Sequence, residues 1–590
     1  MTSEPILVAD LDRARPASAL GDSFGPGQWR VLPYVADGID RGRMLGAGDA
    51  SRAAEIAVPI EWTGWHRVSV GFFNGFWRPY SEQRLEIRRS SDTTWSTLYL
   101  PAPSALAWNV PLDDDEVGPS ITEVPWRTLD LTDEEIWLRQ PQRVPFGSQL
   151  GGTAGTELYI AYLRLDPLSD AEVRALRADR ERTDVQRLFG YNDSWNPYFE
   201  HGRALTAAEG ATAIRDEIEP YRGTDFARLY WEGAHGDVCH YPTNVGRTWD
   251  DPAFQTGTWP RAGDRLVVES WRNWTAAGFD PFQLAIETAH ELGLECHGTY
   301  RFGWGAFYWP PPFDAWNAGG LWERHPEWRA RRLDGSMDTC LSFAWPEVRR
   351  FVVDLLCEMA GYEMDGLALL FNRQPPFVGY DPPLVESFRT TTGLDARTLP
   401  PDDDAWLLHR AGAVTRLVEE IRAGIDAVAD AAGRPRLPLT AWVYGTRAEN
   451  LRYGLDVETW IQSGLIDTVV PYSSAAGGFS WTPAWTDPAE IAYWMDLTRG
   501  SGCRLAPNLM PRDMSGADHR RAALRLYEAG VDALSFWDVG TRGAFFDGTI
   551  GRLGHRDELL AWRAGGEPAE PRTTRRIREV AGWRFDFRPE

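Results

Sequence analysis

The chain has 590 residues, 43% hydrophobic and 25% charged, a globular mixture too long for one ordinary core. Its 61 basic against 85 acidic residues give a formal charge of −24, which repels phosphate backbones and anionic lipid and leaves nucleic acid and membrane surfaces as poor partners. Every basic residue is arginine, which excludes Schiff-base lysine chemistry and the lysine of P-loop enzymes.

No apolar run reaches the ~18–20 residues that span a bilayer. The N-terminus, MTSEPILVAD, lacks a basic segment followed by an apolar one, so the expected compartment is the cytoplasm. Five scattered cysteines, Cys239, Cys296, Cys340, Cys357 and Cys503, fit small buried thiols there.

Residues 1–165 read as all-β. Gly64–Phe73, Arg84–Arg89, Trp95–Leu100 and Glu157–Leu165 are strand-like, alternate in polarity and are separated by turn residues, which predicts a β-sandwich. Residues 166–204 read as a charged, partly helical connector. From 205 to 565 the period switches, and apolar strand-like runs alternate with amphipathic helices, the pattern of a parallel sheet with crossovers. Strands are expected at Ala227–Trp231, Leu294–Tyr300, Gly366–Phe371, Pro438–Tyr444, Thr468–Pro471, Leu505–Leu509 and Ala533–Trp537, with a short one at Leu341–Phe343 making eight. Helices are expected over 281–292, 346–360, 405–431 and 517–529. The fold class is therefore β plus α/β: a β-sandwich followed by a (β/α)8 TIM barrel with long loops. The runner-up is an open doubly wound sheet, which the lack of a Gly-x-Gly-x-x-Gly turn disfavours. Residues 566–590 form a basic linker and a strand-like end at Val580–Phe587 that is free to pair back onto a sheet.

In a barrel the chemistry sits at the C-terminal ends of the strands. Those ends carry Glu232, His240, His297, Arg301, Asn372, Arg373, Trp442, Tyr472, Asp513, Trp537 and Asp538. Aromatic faces stack on sugar rings, and forked donors hold hydroxyls and carboxylates. Glycoside cleavage calls for two carboxylates. Glu232 and Asp538, on the strands expected to be first and eighth and so neighbours, are the favoured pair, each beside a tryptophan that would raise its pKa; Asp513 is a third candidate. His240, His297, Arg301, Asn372, Arg373, Trp442, Tyr472 and Trp537 are the expected substrate-binding residues. His235, Asp237, Cys239 and His240 are ligand types without a ligand spacing, so no metal and no cofactor are expected.

Residues 323–390 carry a pattern. His325–Trp328 (HPEW), Leu341–Arg349 (LSFAWPEVR), Tyr362–Leu367 (YEMDGL) and Phe371–Pro376 (FNRQPP) occur in order, followed by Ile466–Tyr472 (IDTVVPY). Over roughly residues 205–560 this resembles the family-10-like bacterial glycosyl hydrolases. The resemblance implies a TIM barrel and a glycosidase activity. It also implies aspartates at the end of strand four, where this chain has Leu370-Phe371-Asn372-Arg373.

Three functions follow as expectations. The first is a glycoside hydrolase acting on an imported oligosaccharide or small glycoside through Glu232 and Asp538. The second is a lyase or isomerase on an acidic sugar, with a Tyr or His base and Arg301, Arg373 or Arg512 holding the carboxylate. The third is a non-catalytic sugar-binding protein on a degenerate barrel. The expected partner is a small carbohydrate, with self-association left open.

Overall fold

The computed structural model describes residues 4–48, 51–74, 83–100, 119–141, 157–194, 201, 203–255, 262–302, 317–373, 375–473, 484–511, 514–537, 549–566 and 574–585. Among the described residues eight parallel strands follow one another around a ring: β1 (Leu188–Asn192), β2 (Phe226–His235), β3 (Glu295–Arg301), β4 (Gly366–Leu370), β5 (Leu439–Tyr444), β6 (Thr468–Tyr472), β7 (Arg504–Leu505) and β8 (Leu534–Trp537). β1 pairs with both β2 and β8. The circuit closes just beyond β7, where Asn508 bridges Ser535. Helices occupy the crossovers, among them Ala207–Ile218, Pro281–Glu291, Pro346–Met359, Asp404–Ala431, Pro488–Thr498 and Gly516–Glu528. Each of these strands, and each of these helices, contributes to one large apolar core.

Two expectations need correction. Leu341–Phe343 does not supply the eighth strand; Met337–Leu341 instead pairs antiparallel with Arg329–Arg331 in a separate two-stranded sheet. The eighth strand is β1, which lies within the range expected to be a connector. All five β1 residues are buried, so its sequence shows no alternation to read.

The N-terminal end of the ring is filled by side chains. The Arg228 guanidinium lies 4.6 Å from the Phe189 ring, Arg504 covers that ring at 4.9 Å, and Arg228 Nε donates to Glu295 at 2.8 Å. The Tyr230 and Thr440 hydroxyls meet at 3.2 Å. The site therefore belongs to the other end, beyond the strand C-termini.

Apart from the ring, the described residues form two mainly antiparallel sheets, one of nine strands and one of four. Val70, Phe72, Leu158 and Leu163 from the larger sheet share a core with Ile56, Leu85, Ile87 and Leu138 from the smaller. The larger sheet also curls onto itself. The strand Thr574–Val580 pairs with both Ser120–Asp130 and Trp29–Ala36, enclosing a second core of Leu32, Tyr34, Met44, Ile121, Tyr162 and Ile577.

Candidate active site

Strand alternation sends every second residue of a ring strand inward. On β2 these are Arg228, Tyr230 and Glu232, each buried, and Glu232 is 0% exposed. The Glu232 carboxylate is fixed by donors from three positions. Arg301 Nη2, from the end of β3, lies 2.7 Å from Oε2. The Tyr191 hydroxyl, from β1, donates to the same oxygen. His235 Nδ1 lies 3.3 Å from Oε1. Arg301 Nη2 also donates to the Tyr191 oxygen at 2.6 Å, so the three groups form one network.

Burial pushes the Glu232 carboxyl up, but the Arg301 charge and the His235 hydrogen bond outweigh it and hold the pKa at about 2. Glu232 is an ionised carboxylate at neutral pH. The expectation of a raised pKa is corrected: Trp231 points out of the ring, and the inward neighbours are cationic and hydroxylic rather than apolar. Burial also lowers His235 and His240 to about 4, so both are neutral near pH 7.

Aromatic rings line the same end. Tyr191 and Trp537 lie 4.0 Å apart at 36°. Trp442 lies 5.4 Å from Trp537 and 6.4 Å from Tyr472, and Tyr472 lies 5.4 Å from Trp537. The guanidinium groups of Arg301 and Arg373 stand 5.5 and 5.2 Å from the Trp537 ring. Trp442, Tyr472, Trp537, Arg301 and Arg373 are thus brought together with Glu232. Asn372 and Asn508 are fully buried at strand ends, and neither amide has a hydrogen-bond partner among the described residues. The same is true of Trp442 Nε1 and the Tyr444 hydroxyl. Four neutral polar groups of this kind suit the hydroxyls of a sugar.

The remaining expected residues fall elsewhere. His297 lies two residues below the level of Glu232, since Tyr230 pairs with His297 and Glu232 with Thr299. Its ring packs edge-on against Tyr230 at 5.5 Å, and Nε2 faces Glu295 Oε2 at 3.5 Å. It is interior packing rather than mouth. His240 stands behind Glu232, with Nδ1 2.5 Å from Ser194 Oγ and its ring 5.7 Å from Trp249. Arg301, expected to hold substrate, is engaged by Glu232. Asp513, Asp538 and Arg512 lie outside the described residues. Glu232 and β8 are not on neighbouring strands, because β1 intervenes.

Sequence reasoning missed the segment Tyr191-Asn192-Asp193-Ser194. Tyr191 points in to Glu232, while Asn192 points out, its Nδ2 donating to Glu217 of helix Ala207–Ile218 at 3.1 Å. Ser194 has φ +58°, its N–H donates to Asn192 Oδ1 at 2.8 Å, and its hydroxyl donates to the Glu232 carbonyl at 3.1 Å. Asp193, half-buried between them, acts electrostatically on both Tyr191 and Arg301. The legible signal was the Asn-Asp-Ser turn chemistry directly after an apolar run.

Residues 263–479 match the family described as glycosyl hydrolase-like 10. That stretch holds His297, Arg301, Asn372, Arg373, Trp442 and Tyr472; Asp193, Glu232 and Trp537 lie outside it. No protein of curated function matches the chain. Among solved structures it is similar to α-L-fucosidase isoenzyme 2 from Paenibacillus thiaminolyticus, at 13% identity and TM-score 0.39 over 64% of this chain. It spans half the length of that fucosidase, 50% of that chain. It is also similar to the PgaB (BpsB) glycoside hydrolase domain from Bordetella bronchiseptica, at 13% identity and TM-score 0.38, with 64% of this chain and 98% of that one covered. The catalytic domain of β-amylase from Paenibacillus polymyxa gives 10% identity and TM-score 0.40, with 65% and 99% covered.

Proposed function

We propose that this chain cleaves glycosidic bonds, on an oligosaccharide or small glycoside bound at the C-terminal end of the ring, read as a (β/α)8 barrel. The observation that carries this reading is the ionised Glu232 carboxylate, fixed by Arg301, Tyr191 and His235 beside the Tyr191–Trp537–Trp442–Tyr472 aromatic cluster. Glycoside cleavage passes through an oxocarbenium-like transition state, which a preformed anion stabilises. The rings offer stacking faces, and Asn372, Asn508, Trp442 and Tyr444 offer hydrogen bonds to hydroxyls. Asp538, one residue past Trp537, and Asp513 remain candidates for the second carboxylate. Family membership over residues 263–479 supports the reaction class.

The test is turnover of 4-nitrophenyl and 2,4-dinitrophenyl glycosides of common hexoses, pentoses and N-acetylhexosamines in both anomers, with Glu232→Gln beside the wild type. Loss of ~10³-fold or more in kcat with the fold retained is expected. Undiminished turnover by Glu232→Gln would remove Glu232 from the chemistry. The lyase reading has one observation in its favour, Arg373 over the Trp537 ring. Against it, burial raises Tyr191 well above an ordinary tyrosine, which makes that hydroxyl a poor base, and Arg301 is paired. An ultraviolet-absorbing product in the same assay would favour the lyase.

A further inference from the structure

We infer that Asn508 and Asn372, just past the ends of β7 and β4, decide which sugar the site accepts, each buried amide pairing with two hydroxyls of a neutral glycone. The inference rests on the reading above that a sugar binds at this end of the ring. It deepens that reading by naming the residues that set specificity and the class of sugar they select.

Asn508 is placed by its neighbours. Its N–H donates to the Pro471 carbonyl at 3.0 Å, and its own carbonyl accepts from Trp485 Nε1 at 2.8 Å. It bridges Ser535 of β8 in a parallel sense, and bridged residues share a face of the sheet. Ser535 shares that face with Trp537, two residues on. Both backbone groups of Asn508 are therefore paired, while its side-chain amide is not. Asn372 follows the last rung of β4. The Phe371 N–H donates to the Trp442 carbonyl at 2.9 Å, and the Phe371 ring lies 5.3 Å from Trp460 in the layer of crossover helices. The residue after Asn372, Arg373, stands 5.2 Å from the Trp537 ring. The chain thus crosses from the helix layer to the ring interior at Asn372, which is 0% exposed.

A buried amide without partners is costly and rare. Two other buried asparagines show the ordinary case. Asn450 accepts from the Tyr444 N–H at 2.9 Å and donates to the Tyr444 and Thr446 carbonyls at 3.0 and 2.8 Å. Asn192 donates to Glu217 at 3.1 Å and accepts from the Ser194 N–H at 2.8 Å. Those two serve the fold. Asn508 and Asn372 leave both atoms of each amide unpaired among the described residues, at the end of the ring that holds Glu232.

The chemistry of the amide selects the ligand. Nδ2 donates and Oδ1 accepts, so one amide matches two adjacent hydroxyls, one accepting and one donating. An ionised carboxylate only accepts and would leave each Oδ1 without a donor. The glycone selected is a neutral sugar with free adjacent hydroxyls. A site that hydrogen-bonds a hydroxyl rejects the analogue lacking it, because its own buried groups are then left unpaired.

The experiment measures kcat/KM and melting temperature for wild type, Asn508→Leu and Asn372→Leu. The substrates are the 4-nitrophenyl hexoside that the wild type cleaves, its monodeoxy derivatives and the matching uronoside. Comparing the parent-to-deoxy ratio between proteins cancels the intrinsic reactivity of the deoxy sugar. The wild type is expected to disfavour at least one deoxy derivative by ~10²-fold or more. Each leucine variant is expected to cleave the parent ~10²-fold or more slowly, with that ratio falling to about tenfold or less. Its melting temperature is expected to hold or rise, since leucine removes an unpaired buried amide. An asparagine that serves only the fold gives the reverse, lowered melting with the ratio unchanged, and that result overturns the assignment for the residue concerned. Faster wild-type turnover of the uronoside overturns the neutral class. Should a leucine variant fail to fold, the alanine variant is read by the same ratio. A wild type that cleaves no glycoside sinks the glycoside-cleaving reading alone. The inference then stands if glucose, galactose or mannose quenches the tryptophan fluorescence of the wild type but not of Asn508→Leu or Asn372→Leu, and falls if quenching is alike in all three or absent.

Discussion

Burying a carboxylate costs several kcal/mol unless an opposite charge and hydrogen bonds offset it. Glu232 has both, so its burial is affordable only while Arg301 and Tyr191 stay in place. Glu232→Gln therefore tests stability as well as chemistry: it leaves Arg301 buried without its anion, and breaking such a pair costs about 3–5 kcal/mol. Two glycines give opposite predictions. A Cβ on Gly366 would meet His297 Cε1 at 2.4 Å and the Pro438 carbonyl at 2.8 Å, so Gly366→Ala is expected to lose about 1–3 kcal/mol in urea unfolding. A Cβ on Gly412, inside helix Asp404–Ala431, meets nothing within 4 Å, so Gly412→Ala is expected to gain about 0.5–1 kcal/mol. Equal effects of the two would refute the packing argument. At this scale the ends of most strands were legible, which is how Glu232, Trp442, Tyr472 and Trp537 became candidates. Depth was not: His297 shares the inner face of β3 with Arg301, and only the register across β2, β3 and β4 sets it lower.

Helix Asp170–Arg180 begins with a capping box, Ser169 and Glu172 each accepting from the other's backbone N–H. Its far end is held by Asp179, whose Oδ1 meets His555 Nε2 at 2.8 Å while Asp225 Oδ2 meets His555 Nδ1 at 2.8 Å. The His555 imidazole thus joins this helix to the segment leading into β2. Burial pushes His555 down, but the Asp225 hydrogen bond and charge, with Asp179 added, leave its pKa raised. A raised folded pKa means stability fully present below the unfolded value near 6.5 and lost as pH rises through the folded value. The urea midpoint of the wild type is expected to fall relative to that of His555→Asn as pH goes from 6 to 9. A constant difference across that range would show that His555 carries no charge in the folded protein. The amphipathic helices were legible to within a residue or two, as with Pro281–Glu291 and Gly516–Glu528, because each puts one apolar stripe on the ring. β1 was not, since five buried residues with Gly190 at their centre carry no period. The site segment Asp193–Ser194 was lost with it.

Across the whole molecule the chain returns to its start. Thr574–Val580 closes the larger N-terminal sheet, with Ile577 fully buried and Arg575 3.1 Å from the Tyr162 hydroxyl. Deleting residues 567–590 would open two strand edges, at Trp29–Ala36 and Ser120–Asp130, and expose the core around Tyr162. Proteolysis with mass mapping is expected to cut that sheet first, with the melting of the sheet lowered and the helical signal of the ring kept. Cleavage and melting like those of the full chain would show the tail strand to be dispensable. By itself the sequence determined the order of a β region and an alternating strand–helix region, a resemblance over roughly residues 205–560, of which residues 263–479 match the glycosyl hydrolase-like 10 family, and the aromatic and charged residues at the ends of most strands. Those follow from local periodicity and short motifs, which neighbours along the chain dictate. Only the tertiary structure decided that β1 stands between β2 and β8, that Arg301 answers Glu232 rather than a ligand, and that Tyr191 of β1 reaches Glu232. These are matters of register and charge between residues far apart in the chain, and they exist only once the ring has closed.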